Sequence, residues 1–333
     1  MRYECKGIAI YSGEEGHSLR KIAKILVSVT IVLVLNIYFS NNDQDDVLKD
    51  QQSIRSLDDS AELSTSNESK KATSGLSLLI GQSNEQVMAE FGEPSRIDPS
   101  SYGYEWWIYN EEDEMNYMQV AVQDGKVVSI YALGSELNIA PFYIGQPISE
   151  LYQSASLETT IDIEWNDNSY RFELAEEDLG TRPLIRLGDV FAQIYIDKFT
   201  GMVTSVRFLD VATLIEQKPY ELIYRGELPE EEALSDEEWS LVEEGNSQQI
   251  FDITNIIRKR FDLEQVEWDQ ATAEVAFLHS LDMYIEDYFS HDSPTKGNLG
   301  DRLQEGNVSY QTAGENIAAQ YVDGIAAVEG WLN

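Results

Sequence analysis

The sequence predicts an α+β protein in three parts: an N-terminal transmembrane helix, a tandem α+β repeat domain, and a C-terminal helical segment carrying a polar site. Three observations predict it. A charge-free apolar run occupies Ile25 to Phe39. An Ile-Gly-Gln unit occurs twice, at Ile80-Gly81-Gln82 and Ile144-Gly145-Gln146. Two of the three histidines, His279 and His291, fall shortly before Gly314-Glu315-Asn316.

Composition narrows the function classes. The 333 residues suffice for about two domains. Sixty acidic against 23 basic side chains give a net charge of −37. Such a surface disfavours nucleic acid, whose phosphates need Lys and Arg, and it disfavours docking on anionic lipid headgroups. Cys5 is the single cysteine, so no disulfide forms within the chain and the fold rests on burial.

The apolar run defines the first part. Counted from Ile22 to Phe39 it spans about 18 residues, long enough for a bilayer core. Lys24 at its leading end can snorkel to the interface. Arg2, Lys6, Arg20 and Lys21 precede the run, and Asp43, Asp45 and Asp46 follow it. The positive-inside bias then gives a cytoplasmic tail at 1–21, a single-pass helix at 22–39, and everything beyond outside the cell. No small-x-small cleavage site follows the run closely, which favours an uncleaved anchor. Residues 40–75 are polar and poor in aromatics, the composition of a flexible tether.

The second part, 76–225, is a weak internal repeat. Leu79-Ile80-Gly81-Gln82 opens one unit and Asp124-Gly125-Lys126-Val127-Val128-Ser129-Ile130 closes it. Tyr143-Ile144-Gly145-Gln146 and Thr200-Gly201-Met202-Val203-Thr204-Ser205-Val206 bracket the other. The openings lie 64 residues apart and the closings 76, so the second unit holds an insertion. Asn84 to Phe91 has helical spacing, and Gly92-Glu93-Pro94 ends it. Tyr104–Tyr109, Tyr117–Val122 and Lys126–Leu133 are β-rich, with turns at Glu111–Asp113 and Asp124-Gly125. Thr160–Trp165, Ser169–Leu174, Val190–Ile196 and Met202–Leu209 repeat the theme, and Pro219–Tyr224 is a last strand or connector. The aromatics Tyr102, Tyr104, Trp106, Trp107 and Tyr109 are expected to be strand core. Residues 226–247, with Glu230-Glu231-Glu232 and Asp236-Glu237-Glu238, are expected to be an acidic linker.

The third part, 248–333, opens on a helical stripe at Ile250, Ile253, Ile256, Ile257 and Phe261. Asp269 is a candidate N-cap for a longer helix. Apolar residues on nearly all its sides, running to Tyr288 and Phe289, predict that it is largely buried. His279 lies inside it.

These residues carry a resemblance. Asn255-x-x-Arg258, Val266-x-Trp268-Asp269, His279-Ser280-x-Asp282-Met283, Tyr288-Phe289-Ser290-His291-x-Ser293-Pro294, Asp301-Arg302-Leu303, Gly314-Glu315-Asn316-Ile317-Ala318 and Trp331-Leu332-Asn333 resemble, in order, the bacterial branch of the CAP (SCP/PR-1-like) superfamily. The paired Ile-Gly-Gln units resemble the CAP-associated N-terminal domain of membrane-anchored proteins from Bacillus-like bacteria. The resemblance implies an α-β-α sandwich with a groove lined by histidines and acidic residues. By position it makes His291 and Glu315 groove residues and ligands of a zinc-like divalent ion; His279, inside the long helix, is a further groove candidate whose other reading is packing or hydrogen bonding in the core. Neutral imidazole and carboxylate suit such an ion. Ser290 and Ser293 are near enough in sequence to set the imidazole tautomer.

In the family a Gly-His-Arg motif with a second histidine, and then closing strands, follow the Trp-Met-Asn helix. Here the sequence stops at Asn333, so the sandwich is expected to be incomplete and the chain to be C-terminally truncated. No catalytic residue is assigned. No Ser-His-Asp-type pairing is evident, and His17 lies in the predicted tail. The expected function is non-catalytic binding at the cell envelope of a small apolar molecule, a peptide or a protein. The alternatives are a divalent-metal-dependent hydrolase, and a scaffold acting through the middle domain beside a vestigial CAP domain.

Overall fold

The computed structural model describes residues 55–56, 71–155, 157–230 and 233–333. The predicted tail, the apolar run 22–39 and most of the tether lie outside them. Among the described residues no helix is long and apolar enough to cross a membrane.

Eleven described strands form two sheets. The larger has the order β2-β3-β4-β5-β10-β9-β8, antiparallel throughout. Its strands are β2 (Arg96–Pro99), β3 (Glu105–Tyr109), β4 (Met118–Gln123), β5 (Lys126–Ala132), β8 (Leu184–Leu187), β9 (Val190–Asp197) and β10 (Met202–Leu209). The smaller sheet has the order β1-β11-β7-β6: β1 (Arg55–Ser56), β6 (Thr160–Trp165), β7 (Asn168–Glu173) and β11 (Glu221–Arg225). Arg55–Ser56 lies within the predicted tether, yet it pairs in parallel with Ile223–Tyr224.

The repeat is written in hydrogen bonds. Gly81 N donates to Val127 O at 2.7 Å and Val127 N to Gln82 O at 3.0 Å; Gly145 N donates to Val203 O at 2.8 Å and Val203 N to Gln146 O at 2.9 Å. Each Ile-Gly-Gln is thus stitched to the strand that closes its own unit. Both glycines take positive φ, 81° and 83°, which an L side chain adopts only under strain. Helices α1 (Asn84–Phe91) and α2 (Ile148–Ser154) follow the two motifs. The units join where β5 pairs with β10. The insertion is the β6–β7 hairpin, which leaves the large sheet and builds the small one with β11. Helices α3 (Glu176–Thr181) and α4 (Val211–Gln217) are also present. Leu214 and Ile215 of α4 share a core with Phe172 and Leu222 of the small sheet.

Period-two alternation gives the large sheet two apolar faces. Trp107, Tyr109, Val120 and Phe208 point to one face and pack with Val87 of α1 and Leu151 of α2. Trp106, Ile108, Tyr117, Tyr131 and Tyr195 point to the other. Of the predicted strand-core aromatics, Tyr104, Trp106, Trp107 and Tyr109 are core and Tyr102 is half-buried beside them, but Tyr102, Tyr104 and Trp106 face away from the repeat's own helices. Their cover is C-terminal: Ile250, Ile253, Ile256 and Ile257 of α5 (Asp236–Arg260), and Ile325 and Val328 of α8 (Gly324–Trp331).

Three expectations are corrected here. The acidic stretch read as a linker is helical from Asp236 onward. Ser235 and Glu238 form a reciprocal capping box, and the three acids of the first turn suit the positive helix N-terminus. The long apolar helix, α6 (Gln270–Ile285), starts at the predicted Asp269 cap, whose side chain accepts from Thr272 N at 2.7 Å. It ends before Tyr288, and the chain turns at Asp287 with φ 54°. It is also not buried all round: Phe277, Leu278, Leu281 and Ile285 are exposed, Ile285 by 64%. Finally, residues 248–333 contribute helices to a sandwich whose sheet belongs to the repeat domain, and no named strand lies in that range.

Polar groups sit inside this junction and each has a partner across it. Arg207, fully buried on β10, donates to Asp323 at 2.8 Å. Glu329 accepts from Tyr131 Oη and Ser205 Oγ, both at 2.5 Å. At the sheet edge, Arg96 of β2 reaches Asp98 and Asp252 at 2.7 Å and Glu111 at 3.1 Å. One guanidinium divided among three carboxylates cannot offset the desolvation of Asp252, whose pKa burial pushes up to about 6 against the pull of Arg96.

Two predictions follow from these contacts. A Cβ at Gly81 or Gly145 would meet nothing within 4 Å, so Gly81→Ala and Gly145→Ala each cost only backbone strain. That is about 1–2 kcal/mol apiece in urea denaturation, and the two costs should match. Asp252 has a folded pKa above its unfolded value, so the folded state holds its proton more tightly between about pH 4 and 6. Its contribution to stability therefore falls as pH rises through that window. Wild type should gain stability relative to Asp252→Asn as pH drops from neutral to about 4, which paired thermal melts will measure.

Candidate functional site

The three predicted groove residues converge, each delivered by a different segment. His279 comes from the inner face of α6 beside Val275, Ala276 and Met283, all buried. His291 comes from the loop after α6. Glu315 comes from the irregular segment after α7 (Leu299–Glu305). Asn298 caps α7, and its exchange with Asp301 fixes the first turn. That turn aims Arg302 inward.

Arg302 is the group that sequence reasoning missed. Its Nη2 donates to both oxygens of Glu315 at 2.7 Å, and its Nη1 donates to His291 O at 2.8 Å and Gly297 O at 3.0 Å. The Glu315 and Arg302 side chains are 2% and 4% exposed. His291 Nδ1 lies 3.0 Å from Glu315 Oε1. A carboxylate oxygen already accepting from arginine takes a second donor, so Nδ1 carries the proton in neutral His291 and its Nε2 is left with a lone pair. The His291 side chain is 61% exposed.

His279 is buried, at 1% exposure. Its Nε2 is 3.1 Å from Ser290 O and must donate there. Burial first, and the neighbouring Arg302 charge second, hold its pKa below the ordinary imidazole range. A neutral ring bonded to the backbone is a brace. It lies 4.0 Å from Glu315 Oε1 without a hydrogen bond between them.

Ser290 fixes the His279 tautomer through its backbone carbonyl, but neither serine hydroxyl sets an imidazole tautomer. Ser290 Oγ accepts from Asp292 N at 3.1 Å. Ser293 Oγ donates to Asp282 at 2.6 Å, beside Tyr288 Oη at 2.5 Å and Thr295 Oγ1 at 2.7 Å on the same carboxylate. Burial opposes ionisation of Asp282, but the hydroxyl donors outweigh it and its pKa is lowered. Glu315 is the partner that fixes His291. Tyr288, expected in the core, bridges towards His279 Nδ1 at 3.4 Å.

This donor set does not fit a resident divalent ion. Structural zinc takes four ligands and catalytic zinc three from the protein. Both Glu315 oxygens are bound by Arg302, whose positive charge opposes a cation there, and His291 Nε2 is a single donor. Among the described residues no group of three or more His, Cys, Asp or Glu is placed to hold a metal. Glu315 stands where an outer-shell carboxylate would, orienting the ring.

The Glu315–Arg302 pair makes a direct prediction. Glu315→Gln leaves a buried guanidinium without its counter-charge. Loss of a buried partner costs about 3–5 kcal/mol, so chemical denaturation should show a drop of that order, whereas His291→Ala at the exposed ring should cost far less.

Comparison with known proteins places this geometry. Residues 80–220 match the CAP-associated N-terminal family model, and residues 251–333 match the cysteine-rich secretory protein family model. The chain is 48% identical over 261 residues to the membrane protein YlbC of Bacillus subtilis (strain 168), covering 78% of this chain and 75% of that one. A crystal structure of an extracellular SCP-domain protein from Bacillus anthracis superposes with a TM-score of 0.74 at 44% identity, covering 83% of this chain and 89% of that one. A cysteine-rich secretory protein from Staphylococcus aureus superposes at 0.68 with 25% identity, covering 84% and 89%. With both domain models matched in order and a relative covered over three quarters of its length, the chain belongs to the CAP, or cysteine-rich secretory protein, family as a member with a CAP-associated N-terminal domain.

Proposed function

We propose that this protein is a membrane-anchored CAP-domain protein that binds a ligand at the cell envelope without acting on it chemically. The observation that carries this reading is the engagement of Glu315. Arg302 takes both its oxygens and His291 takes one again, so the carboxylate is a structural tie and no free base. No serine or threonine hydroxyl among the site's hydrogen bonds meets a histidine nitrogen, which removes the geometry of an activated nucleophile. What faces solvent is the His291 ring with its Nε2 lone pair, suited to a ligand that offers a hydrogen-bond donor. The ligand is a small apolar molecule, a peptide or an envelope protein. The apolar run 22–39 anchors the chain as a single pass with its N-terminus cytoplasmic and both domains outside. YlbC, a relative, carries the name of a membrane protein, which supports the anchor.

A metal-dependent hydrolase is the second reading. A carboxylate-backed imidazole with a bare Nε2 favours it, because metal-ligating histidines are oriented in that way. The distinguishing experiment is a casein-cleavage assay on the full chain with and without added zinc. The expected result is no cleavage in either condition, and no difference between wild type and His291→Ala. Zinc-stimulated cleavage that His291→Ala abolishes would replace binding with hydrolysis.

A further inference from the structure

The candidate site is held from two sides by separate supports. On one side stand α6, α7 and the loop between them, which contribute His279, His291 and Arg302. On the other stands the segment from Glu315 to Asp323, which hands its chain directly to α8. That segment is fastened at three points. Trp331 Nε1 of α8 donates to Ile317 O at 2.9 Å. Tyr102 Oη, in the turn between β2 and β3, donates to Val322 O at 3.2 Å. Arg207 of β10 donates to Asp323 at 2.8 Å, and the same Asp323 oxygen accepts from Ala326 N at 2.9 Å to cap α8. Helix α8 is itself pinned to the large sheet by Glu329 through Tyr131 and Ser205, and to α5 by the Gly324 N bond to Asn246 at 3.1 Å.

The other support is joined to α5 through the chain that leads into α6. Asn255 exchanges two hydrogen bonds with Val266, at 2.8 and 3.0 Å, and Phe251 meets Trp268 edge-on. Across the gap between supports, the Glu315 bonds to Arg302 and His291 are a clasp. Arg207 and Tyr102 belong to the repeat domain, far from Glu315 in sequence, and fasten Val322 and Asp323 downstream of it.

We propose that Arg207 and Tyr102 are positioning residues for the groove. The repeat domain holds Glu315 in register with His291 through Val322 and Asp323, so an event on that domain which shifts the 317–323 segment changes the tautomer that His291 presents to a ligand. This rests on the reading of His291 as the ligand-facing group. A side chain that only stabilised the fold would leave the ring of a folded protein unchanged. A coupled one shifts it, because the His291 ring meets Glu315 through one hydrogen bond at Nδ1.

Ring 15N NMR of selectively histidine-labelled full-length chain in detergent micelles reads this directly, since only His17, His279 and His291 contribute signals. Glu315→Ala supplies the reference for a released His291. Asp323→Asn keeps a capping side chain on α8 but removes the charge that Arg207 meets. Tyr102→Phe removes one hydroxyl at a half-buried site and is the milder second variant. Both should move His291 towards the released reference, with loss of the Nδ1–H form as the majority species. The His279 signals, set by Ser290 within the other support, should stay in place and report that the fold is intact. If His291 keeps its wild-type signals in Tyr102→Phe and in folded Asp323→Asn, the positioning role is wrong. If Glu315→Ala itself leaves His291 unchanged, the His291–Glu315 contact fails, and the reading of the site falls separately.

Discussion

An antiparallel sheet with two apolar faces has to be covered twice, and the rest of this structure follows from how the second face is covered. The repeat domain has helices enough for one side only. Trp106, Tyr117, Tyr131 and Tyr195 on the other side would meet water if α5 and α8 were not laid across them. The two family domains therefore share one core. Buried Arg207 and Glu329 add direction to that core, because each meets a partner across the junction that a displaced α8 would lose.

The same constraint shapes the site. Helix α8 is fixed by the sheet, so the chain entering it is fixed too, and Glu315 lies just upstream. Its carboxylate then meets an arginine from a different support. Burying such an ion pair is costly unless further hydrogen bonds support it, and His291 adds one to Glu315 from the solvent side. The outcome is a rigid carboxylate and a single exposed ring, with His279 behind them as a neutral brace.

Much of this was legible in the sequence where local chemistry decides. Asn84–Phe91, the Asp269 cap and the Asp124-Gly125 turn all depend on nearby residues. The candidate site was legible as three residues brought together, through the resemblance. What was not legible depends on partners distant in the chain. Glu237, Glu238 and Glu243 look like a solvated linker because they do face outward; within that first half of the helix only Val242, Gly245 and Asn246 are buried, too sparse a stripe to stand out. Helix α6 has apolar residues around its axis but neighbours on only part of it. Arg302 is one arginine in a charged helix until its distance to Glu315 is known.

The parallel pairing of Arg55–Ser56 with β11 has a consequence for how far the folded body could stand from an anchor placed at 22–39. A leash from Phe39 to the first repeat at residue 76 could pay out about 120 Å if fully extended. A hitch at residue 55 leaves 15 residues ahead of it, a reach of roughly 50 Å at most. Were 22–39 the anchor proposed above, this pairing would limit how far the small sheet could stand from it, so two backbone pairs in a minor edge strand would set the reach of the folded body.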